Sequence, residues 1–507
     1  MSINFVHRQI TRMAAKRSYN ECVDLLNSCQ SNAAVLEAVR KAGNSLNKLS
    51  LPEIKTFIER IGYDVPSLNR LNVIHVAGTK GKGSTSILCD AILRNQTITY
   101  KNASNGSEAT RPLKTGLFTS PHLIQVRERI RINGVPVSED AFSESFSKVW
   151  DAFGSDPKPG YFRFLFLMSL HTFITNKVDV AIMETGVGGE YDCTNIFEKP
   201  SVTAITSLGY DHMGLLGNTI DEIAWHKGGI MKPGVACFTA PQPDSALQVL
   251  RNRSIERHVA PAATSLSSSA FPLHEISQTD IEAVHPMELG LKGDHQYINA
   301  AVAHATCKEW VNSYNKSQTD SWTTLSNEGV KVGLASARWP GRSQTLKLKG
   351  HQNVTFHLDG AHTPESLAVC AAWFNSVLEK HEATRNVLMF YCTGGRLADD
   401  LLAPLTKTAV AFDQVIFCSI ETKIINPSHT NNTVFKDTNM KVQKANQAAW
   451  ERVSKNTIHE GAQVLLFNNI DDALELAEQS SVPCNVFVTG SMYLVGTVLT
   501  HYNVDVE

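Results

Sequence analysis

The chain has 507 residues, 42% of them hydrophobic and 19% charged, with 47 Lys plus Arg against 49 Asp plus Glu and a formal net charge of −2. That balance supplies no basic footprint for nucleic acid, and no run of about 18 apolar residues is present to cross a membrane. The ten cysteines are scattered without a CxxC pair, the usage of a reducing compartment rather than of a disulfide scaffold or a zinc site.

The first twenty residues carry Arg8, Arg12, Lys16 and Arg17, and no acid precedes Glu21. This start reads either as an amphipathic mitochondrial leader, with Met13 as an internal start that omits part of it, or as a plain basic terminus. From Ser18 to Arg60 apolar residues recur at three-and-four spacing (Cys22, Leu25, Leu26, then Ile54, Phe57, Ile58, Ile61), which predicts helix. Leu71 to Val76 is a short apolar strand that runs directly into glycines. Buried strands are further predicted at Val178 to Met183, Val202 to Thr206, Val354 to Leu358, Val387 to Tyr391, Val415 to Cys418, Val464 to Phe467 and Val486 to Thr489. Helices are expected over Glu365 to Leu378, Ala398 to Ala411 and Ile470 to Glu478. Alternating strand and helix predict an α/β protein with parallel sheets covered by helices. Three polar stretches, Asn95 to Arg111, Ala262 to Ser269 and Glu421 to Asn439, read as surface loops. Pro and Gly in Arg338-Trp-Pro-Gly-Arg342 end one element before a fresh strand–helix series. The domain break is therefore expected there, giving units 1–340 and 341–507.

The strongest local feature is His75-Val-Ala-Gly-Thr-Lys-Gly-Lys-Gly-Ser-Thr85. A strand ends, glycines turn the chain, and a helix is expected to open at Ser84. Backbone amides at a helix N-terminus attract an anion, and the dipole adds to that attraction. Gly78, Gly81 and Gly83 let the backbone wrap a phosphate, Lys82 neutralises its terminal oxygens, and the Ser84 hydroxyl can face a magnesium ion. The spacing departs from GxxxxGK[ST], because Val76 stands where the first Gly belongs and Gly83 separates Lys82 from Ser84. A phosphate loop of this kind does not by itself separate a kinase, a GTPase and a ligase.

GTKGKGST resembles the loop of the folylpolyglutamate synthases and of the wider Mur-type family of ATP-dependent peptide ligases. Further blocks follow in that family's order: Thr119-Ser-Pro-His-Leu123, Glu184-Thr-Gly-Val-Gly-Gly189, Asp211-His212, His226-Lys-Gly-Gly-Ile230, Gly293-Asp-His-Gln296 with Asn299, Trp339-Pro-Gly-Arg342, Asp359-Gly-Ala-His362 and Val488 to Gly496. The series runs from about Asn72 to Gly496 and is closest to the eukaryotic folylpolyglutamate synthases. The resemblance implies a larger N-terminal P-loop ATPase-like domain, a smaller C-terminal Rossmann-like domain and an active site in the cleft between them. It also implies the reaction: ATP phosphorylates the terminal carboxylate of a folate, and the amine of L-glutamate attacks the acyl phosphate to form a γ-linked amide. The partners are then a reduced folate, L-glutamate and ATP, with Mg2+ as cofactor and room for a monovalent cation such as K+. A monomer in cytoplasm and mitochondrial matrix is the expected form.

Residue roles follow from matched positions. Gly78, Thr79, Lys80, Gly81, Lys82, Gly83 and Ser84 would cradle ATP. Arg342 and Asp359 would bind it from the C-terminal side, Arg342 through its planar paired donors. Gln296 and Asn299 are candidate nucleotide contacts, with helix capping and packing an equal account of them. Ser120, Glu184 and His212 match the family's metal positions. Read alone, Glu184 at a strand end is as much a turn acid as a ligand, and a nitrogen donor such as His212 is unusual for magnesium. Lys227 matches a lysine that is carbamylated in the family; an unmodified lysine balancing phosphate charge is the alternative. Lys82, Lys227 and His362 form the expected catalytic set, His362 in a supporting role. Thr119, Pro121 and His122 are placed near the pterin. Thr393-Gly-Gly-Arg396 departs from the pattern, lacking an acid before Arg396. Dihydrofolate synthase is the rival within the same chemistry, and a P-loop switch the rival outside it.

Overall fold

The computed structural model describes residues 17–30, 50–102, 106–262, 272–348, 350, 353–378, 385–392, 397–423 and 440–504. The basic residues Arg8, Arg12 and Lys16, with Met13, lie outside them, as do Arg396 and most of the second and third polar stretches. The helical periodicity after Ser18 appears as Tyr19–Ser28 and Ser50–Arg60. The first of these starts at a Ser18–Glu21 capping box.

Three sheets carry the chain. The first has eight strands in the order β10-β9-β8-β1-β7-β4-β5-β6. These are β1 (Ile74–Ala77), β4 (Thr115–Phe118), β5 (Ile130–Ile132), β6 (Val135–Pro136), β7 (Val180–Glu184), β8 (Val202–Ile205), β9 (Cys237–Thr239) and β10 (His274–Glu275). From β10 to β4 all neighbours are parallel, and β5 and β6 are added antiparallel at the edge. Every residue of β1, β4, β7 and β8 is buried, as expected of parallel strands with helices on both faces. Alternation along β7 divides the interior. Val180 and Ile182 join a core with helices Lys82–Arg94 and His295–Ser317, while Ala181 and Met183 face a core rich in Phe from helix Tyr161–Thr175.

The second sheet departs from expectation. The polar stretch Asn95 to Arg111 is not simply a loop: it forms β2 (Thr97–Lys101) and β3 (Glu108–Pro112), an antiparallel pair extended by β11 (Ser321–Thr323). Thr, Ile and Tyr in Thr97–Lys101 are strand formers even on a largely exposed ribbon.

The third sheet has six strands in the order β12-β13-β17-β14-β15-β16: β12 (Gln344–Lys347), β13 (Val354–Leu358), β14 (Arg385–Phe390), β15 (Gln414–Cys418), β16 (Gln463–Phe467) and β17 (Cys484–Thr489). Only β12, at the edge, runs antiparallel. The helix expected over Ala398 to Ala411 stops at Leu402 and tightens into a 3-10 turn, Ala403–Lys407, because Pro404 cannot donate to the helical ladder. Leu123 and Ile124, which follow β4, sit in the core of this third sheet beside Leu494 and Val495. One segment of the first sheet's connections is thus packed into the second half of the chain. Among the described residues no helix is long and apolar enough to cross a membrane.

Candidate active site

Ligands gather at the carboxyl ends of parallel strands, where strand order changes side. Here β1, β4, β7 and β8 deliver Gly78, Thr119, Glu184 and Thr206 to one edge of the first sheet, and β13 delivers Asp359 toward it from the third. Between them lies a cavity of about 1110 Å³, lined from both halves of the chain.

The phosphate loop is shaped by what it touches. Gly78 has φ +148°, and a Cβ there would lie 1.9 Å from Thr206 Oγ1. Gly81 caps the following helix at φ +86°, where a Cβ would lie 2.2 Å from Asn299 Oδ1. That helix spans Lys82–Arg94, so it begins two residues before Ser84. The amide of Thr85 is the first to bond back, to Gly81 O at 2.8 Å. By helix geometry, the amides of Lys82, Gly83 and Ser84 are those left at the open end. The outer loop is held from the side: the amides of Thr79 and Lys80 both donate to Ser207 O at 3.0 Å. Thr79, Lys80, Gly81, Lys82, Gly83 and Ser84 line the cavity, and Gly78 lies behind them.

Lys227, on helix Ile220–Gly228, is buried beneath the loop and donates to Gly78 O at 2.7 Å. Burial, reinforced by Lys82, pushes its ammonium well below the usual lysine range. Glu184 ends β7 fully buried. One carboxylate oxygen accepts the Ser120 amide at 3.1 Å, and the other lies 3.9 Å from Lys82 Nζ. Burial pushes its carboxyl up, against the pull of Lys82, the Ser120 amide, Arg342 and Arg129. Next along the rim, Lys80 pairs with Asp211 at 3.4 Å. Burial opposes the Asp211 charge, but Lys80, His212 and His362 outweigh it and hold the carboxyl down to about 2. His212 starts a short turn at φ +52° and lines the same cavity. Burial and the surrounding lysines lower its imidazole below the usual histidine value, so it is neutral near pH 7 with a lone pair to offer.

From helix His295–Ser317 come Gln296 and Asn299, joined by an Asn299 Nδ2 to Gln296 Oε1 bond of 2.9 Å. Both line the cavity, and Asn299 also packs against the loop at Gly81. From the far side, the Trp339 indole stands against Gly83: a Cβ there would lie 3.3 Å from Trp339 Nε1. The Arg342 guanidinium rests on the Met492 sulfur. Asp359 accepts the amides of Ser343 at 2.7 Å and Ala361 at 2.8 Å, so its carboxylate holds the turn that carries Arg342. His362 bonds the carbonyl of Gly360 through Nδ1 at 2.9 Å. Arg342, Asp359 and His362 all line the cavity.

Of the residues expected near the pterin, Pro121 lines the cavity with Ser120, whereas Thr119 and His122 are buried behind it. The His122 Nδ1 accepts from Arg129 Nε at 2.9 Å. Arg129 and Tyr161 line the site although no matched block names them, and Asp211 and Met492, which fall inside the matched blocks, line it too. The basic alternation Arg127-Glu-Arg-Ile-Arg131 was the available signal for the first. Among the described residues no cluster of three or more His, Cys, Asp or Glu could hold a metal ion. The residues matched to metal positions offer the Glu184 carboxylate, the hydroxyls of Ser84 and Ser120 and the imidazole of His212, all lining the cavity. That set fits a hard ion that keeps most of its waters and takes the rest of its ligands from phosphates.

Residues 343–501 match the family model described as dihydrofolate synthetase, C-terminal domain. Over nearly the whole length, the chain is 36% identical over 508 residues to a putative folylpolyglutamate synthase of Caenorhabditis elegans, covering 96% of this chain and 94% of that one. It is 38% identical over 471 residues to the mitochondrial folylpolyglutamate synthase of Bos taurus, covering 87% and 75%. Its fold is similar to that of Mycobacterium tuberculosis folylpolyglutamate synthase complexed with ADP, with a TM-score of 0.69, 22% identity and coverage of 96% and 98%.

Proposed function

The chain belongs to the folylpolyglutamate synthase family, and we propose that the cleft between its first and third sheets is where that family's reaction runs. It is an ATP-dependent ligase that joins L-glutamate to the γ-carboxylate of a (tetrahydro)folate or folylpolyglutamate through an acyl phosphate, retaining folates for one-carbon metabolism. The observation that carries the placement is that Lys82 and Glu184 beside the first sheet and Arg342 and Asp359 beside the third line one cavity.

A carboxylate and an amine do not condense in water because oxide is a poor leaving group. The site must therefore hold ATP and a carboxylate in line, stabilise charge as it moves onto phosphate, and keep water off the acyl phosphate. The amides of Lys82, Gly83 and Ser84 and the Lys82 ammonium face the phosphates, and Arg342 reaches them from the other half of the chain. Asn299 braces the loop, Gln296 holds Asn299, and both border the nucleotide. Asp359 sets the turn that aims Arg342, with His362 beside it. Glu184, Ser120 and Ser84, with His212 at the rim, would hold Mg2+, which supplies charge neutralisation on the phosphate oxygens when bound. Lys227 supports the loop from below, and its lowered basicity favours the neutral amine that carbamylation requires. Pro121 borders the acceptor, with Thr119 and His122 supporting it from behind.

The domain split falls at 340/341, and closure of the two parts around ATP completes the site. The working form is a monomer, with K+ as a further cation. A mitochondrial relative supports a mitochondrial form, and initiation at Met13 would give a cytoplasmic one.

The test is purified protein with ATP, tetrahydrofolate and L-glutamate, with products resolved by mass. A series spaced by one glutamyl unit is expected, with release of phosphate that collapses in Arg342→Ala. Turnover of dihydropteroate alone would move the assignment to dihydrofolate synthase, and nucleotide hydrolysis indifferent to folate and glutamate would reject a ligase.

A further inference from the structure

Arg129 ends a 3-10 turn, Val126–Arg129, and its carbonyl accepts the amide of Thr119 at 3.1 Å, so its backbone is fixed beside the end of β4. The side chain is 9% exposed and lines the cavity. Its Nε donates to His122 Nδ1 at 2.9 Å, and its guanidinium carbon lies 5.3 Å from the centre of the Tyr161 ring. Among the described residues, neither terminal nitrogen has a hydrogen-bond partner, and no carboxylate lies within ion-pair distance. Other buried arginines use their terminal nitrogens within the protein. Arg253 pairs with Glu190 and Glu256, and Arg131 donates to the carbonyls of Glu128 and Gly134. An arginine keeps its charge even where burial opposes it. A buried, laterally braced guanidinium with an open fork facing a cavity is therefore built to receive an anion from the ligand side.

The phosphates already have the loop amides and Lys82. Arg129 lines the same cavity with Pro121 and Tyr161, close enough to Glu184 to pull on its carboxyl, and Pro121 borders the acceptor in the reading above. The acceptor's terminal glutamyl residue brings two carboxylates: the γ-carboxylate attacks phosphorus, and a bidentate arginine on it would tie up the attacking oxygens. We propose that Arg129 receives the α-carboxylate of the acceptor's terminal glutamyl residue and so sets the preference for glutamylated over unglutamylated acceptors. This rests on the ligase reading above. His122 and Tyr161 are then positioning residues that fix the fork from its Nε edge and its face.

A pteroate acceptor carries only the benzoyl carboxylate that must react, so it has nothing for Arg129 to hold. Steady-state kinetics of Arg129→Lys and Arg129→Gln with tetrahydrofolate and tetrahydropteroate test the assignment. Where tetrahydropteroate is not turned over, its Ki against tetrahydrofolate replaces KM. The KM for tetrahydrofolate should rise about 10- to 100-fold, the loss of a charged hydrogen-bonded pair. The constants for ATP, L-glutamate and tetrahydropteroate should stay within about twofold. Equal losses with both acceptors, or a rise confined to ATP, would overturn the proposal. ADP binding by calorimetry reports whether the variants fold. If neither does, the wild-type enzyme is given a tetrahydrofolate analogue ending in γ-aminobutyrate, which keeps the γ-carboxylate and lacks the α. About tenfold or greater weakening supports the proposal, and unchanged affinity rejects it. A wild-type enzyme that makes no glutamylated product from any acceptor fails the ligase reading instead.

Discussion

Lys227 Nζ donates to the carbonyl oxygen of Gly78 at 2.7 Å, fastening helix Ile220–Gly228 to the first turn of the phosphate loop. The bond runs between two elements that are neighbours only in the folded chain, and it fixes the carbonyl of a glycine at φ +148°.

Replacing Lys227 by Met removes that donor and leaves the buried Gly78 carbonyl unsatisfied, a cost of about 1–3 kcal/mol. Part of it falls on loop geometry, so ADP affinity should drop about tenfold by titration calorimetry. Unchanged affinity would show that the loop holds its shape without the lysine. Intact mass with and without bicarbonate separately reads carbamylation of the same amine.

Glu184 carries a carboxyl pushed up by burial, even with Lys82 at 3.9 Å. Its folded pKa lies above the unfolded value. Protonated Glu184 therefore stabilises the fold below the ordinary carboxylate range, and this contribution is lost as pH rises through the raised pKa. Ionising this buried carboxylate is therefore a cost to the ligand-free protein. Glu184→Gln should raise the melting temperature without ligand by about 1–4 °C at pH 7 and lower phosphate release about 100-fold or more. A lower melting temperature at pH 7 would contradict the sign.

Asp211 behaves in the opposite sense. Lys80, His212 and His362 outweigh the burial cost and hold it down to about 2. Its contribution to stability is present above its ordinary value of 3.8 and is lost as pH falls through about 2. Asp211→Asn should flatten the acid limb of the melting-temperature profile in that window. Between pH 6 and 8 the variant should melt lower by a constant amount, because the contribution of the charged carboxylate is fully present there. A parallel shift of the whole profile would point to a packing defect instead.

Gly81 and Gly83 separate two kinds of constraint. Gly81→Ala meets both φ +86° and the Asn299 amide at 2.2 Å, whereas Gly83→Ala meets only the Trp339 indole at 3.3 Å. The first should cost about 1–3 kcal/mol and most of the ATP turnover. The second should raise the KM for ATP by less than about tenfold, because the indole needs to give way by only a few tenths of an ångström. Comparable losses in both would mean that Trp339 is held as rigidly as the backbone.

Much of the site was legible because its chemistry is local. A phosphate loop needs strand, glycines, lysine and helix within about a dozen residues, and His75 to Thr85 spells that order. Strand ends carrying Glu184 and Asp359 were visible because parallel strands buried on both faces are short apolar runs. The ribbon formed by Thr97–Lys101 and Glu108–Pro112 is not legible in its polar residues, and its third strand, Ser321–Thr323, joins it from more than 200 residues away. Residue order alone predicts the loop helix from Ser84, whereas the positive φ available at Gly81 lets it begin at Lys82.

The sequence by itself determined the α/β class, the family, the phosphate loop and the order of the blocks, because each is written in residue types at short spacing. Tertiary structure alone decided which of those residues face a ligand. Asp359 holds a turn, Thr119 and His122 stand behind the cavity wall, and Trp339 meets Gly83 from far along the chain. Arg129, unremarked in the chain, presents an open guanidinium. Burial and charge pairing depend on neighbours distant in sequence, and those neighbours are set only when the two halves pack together.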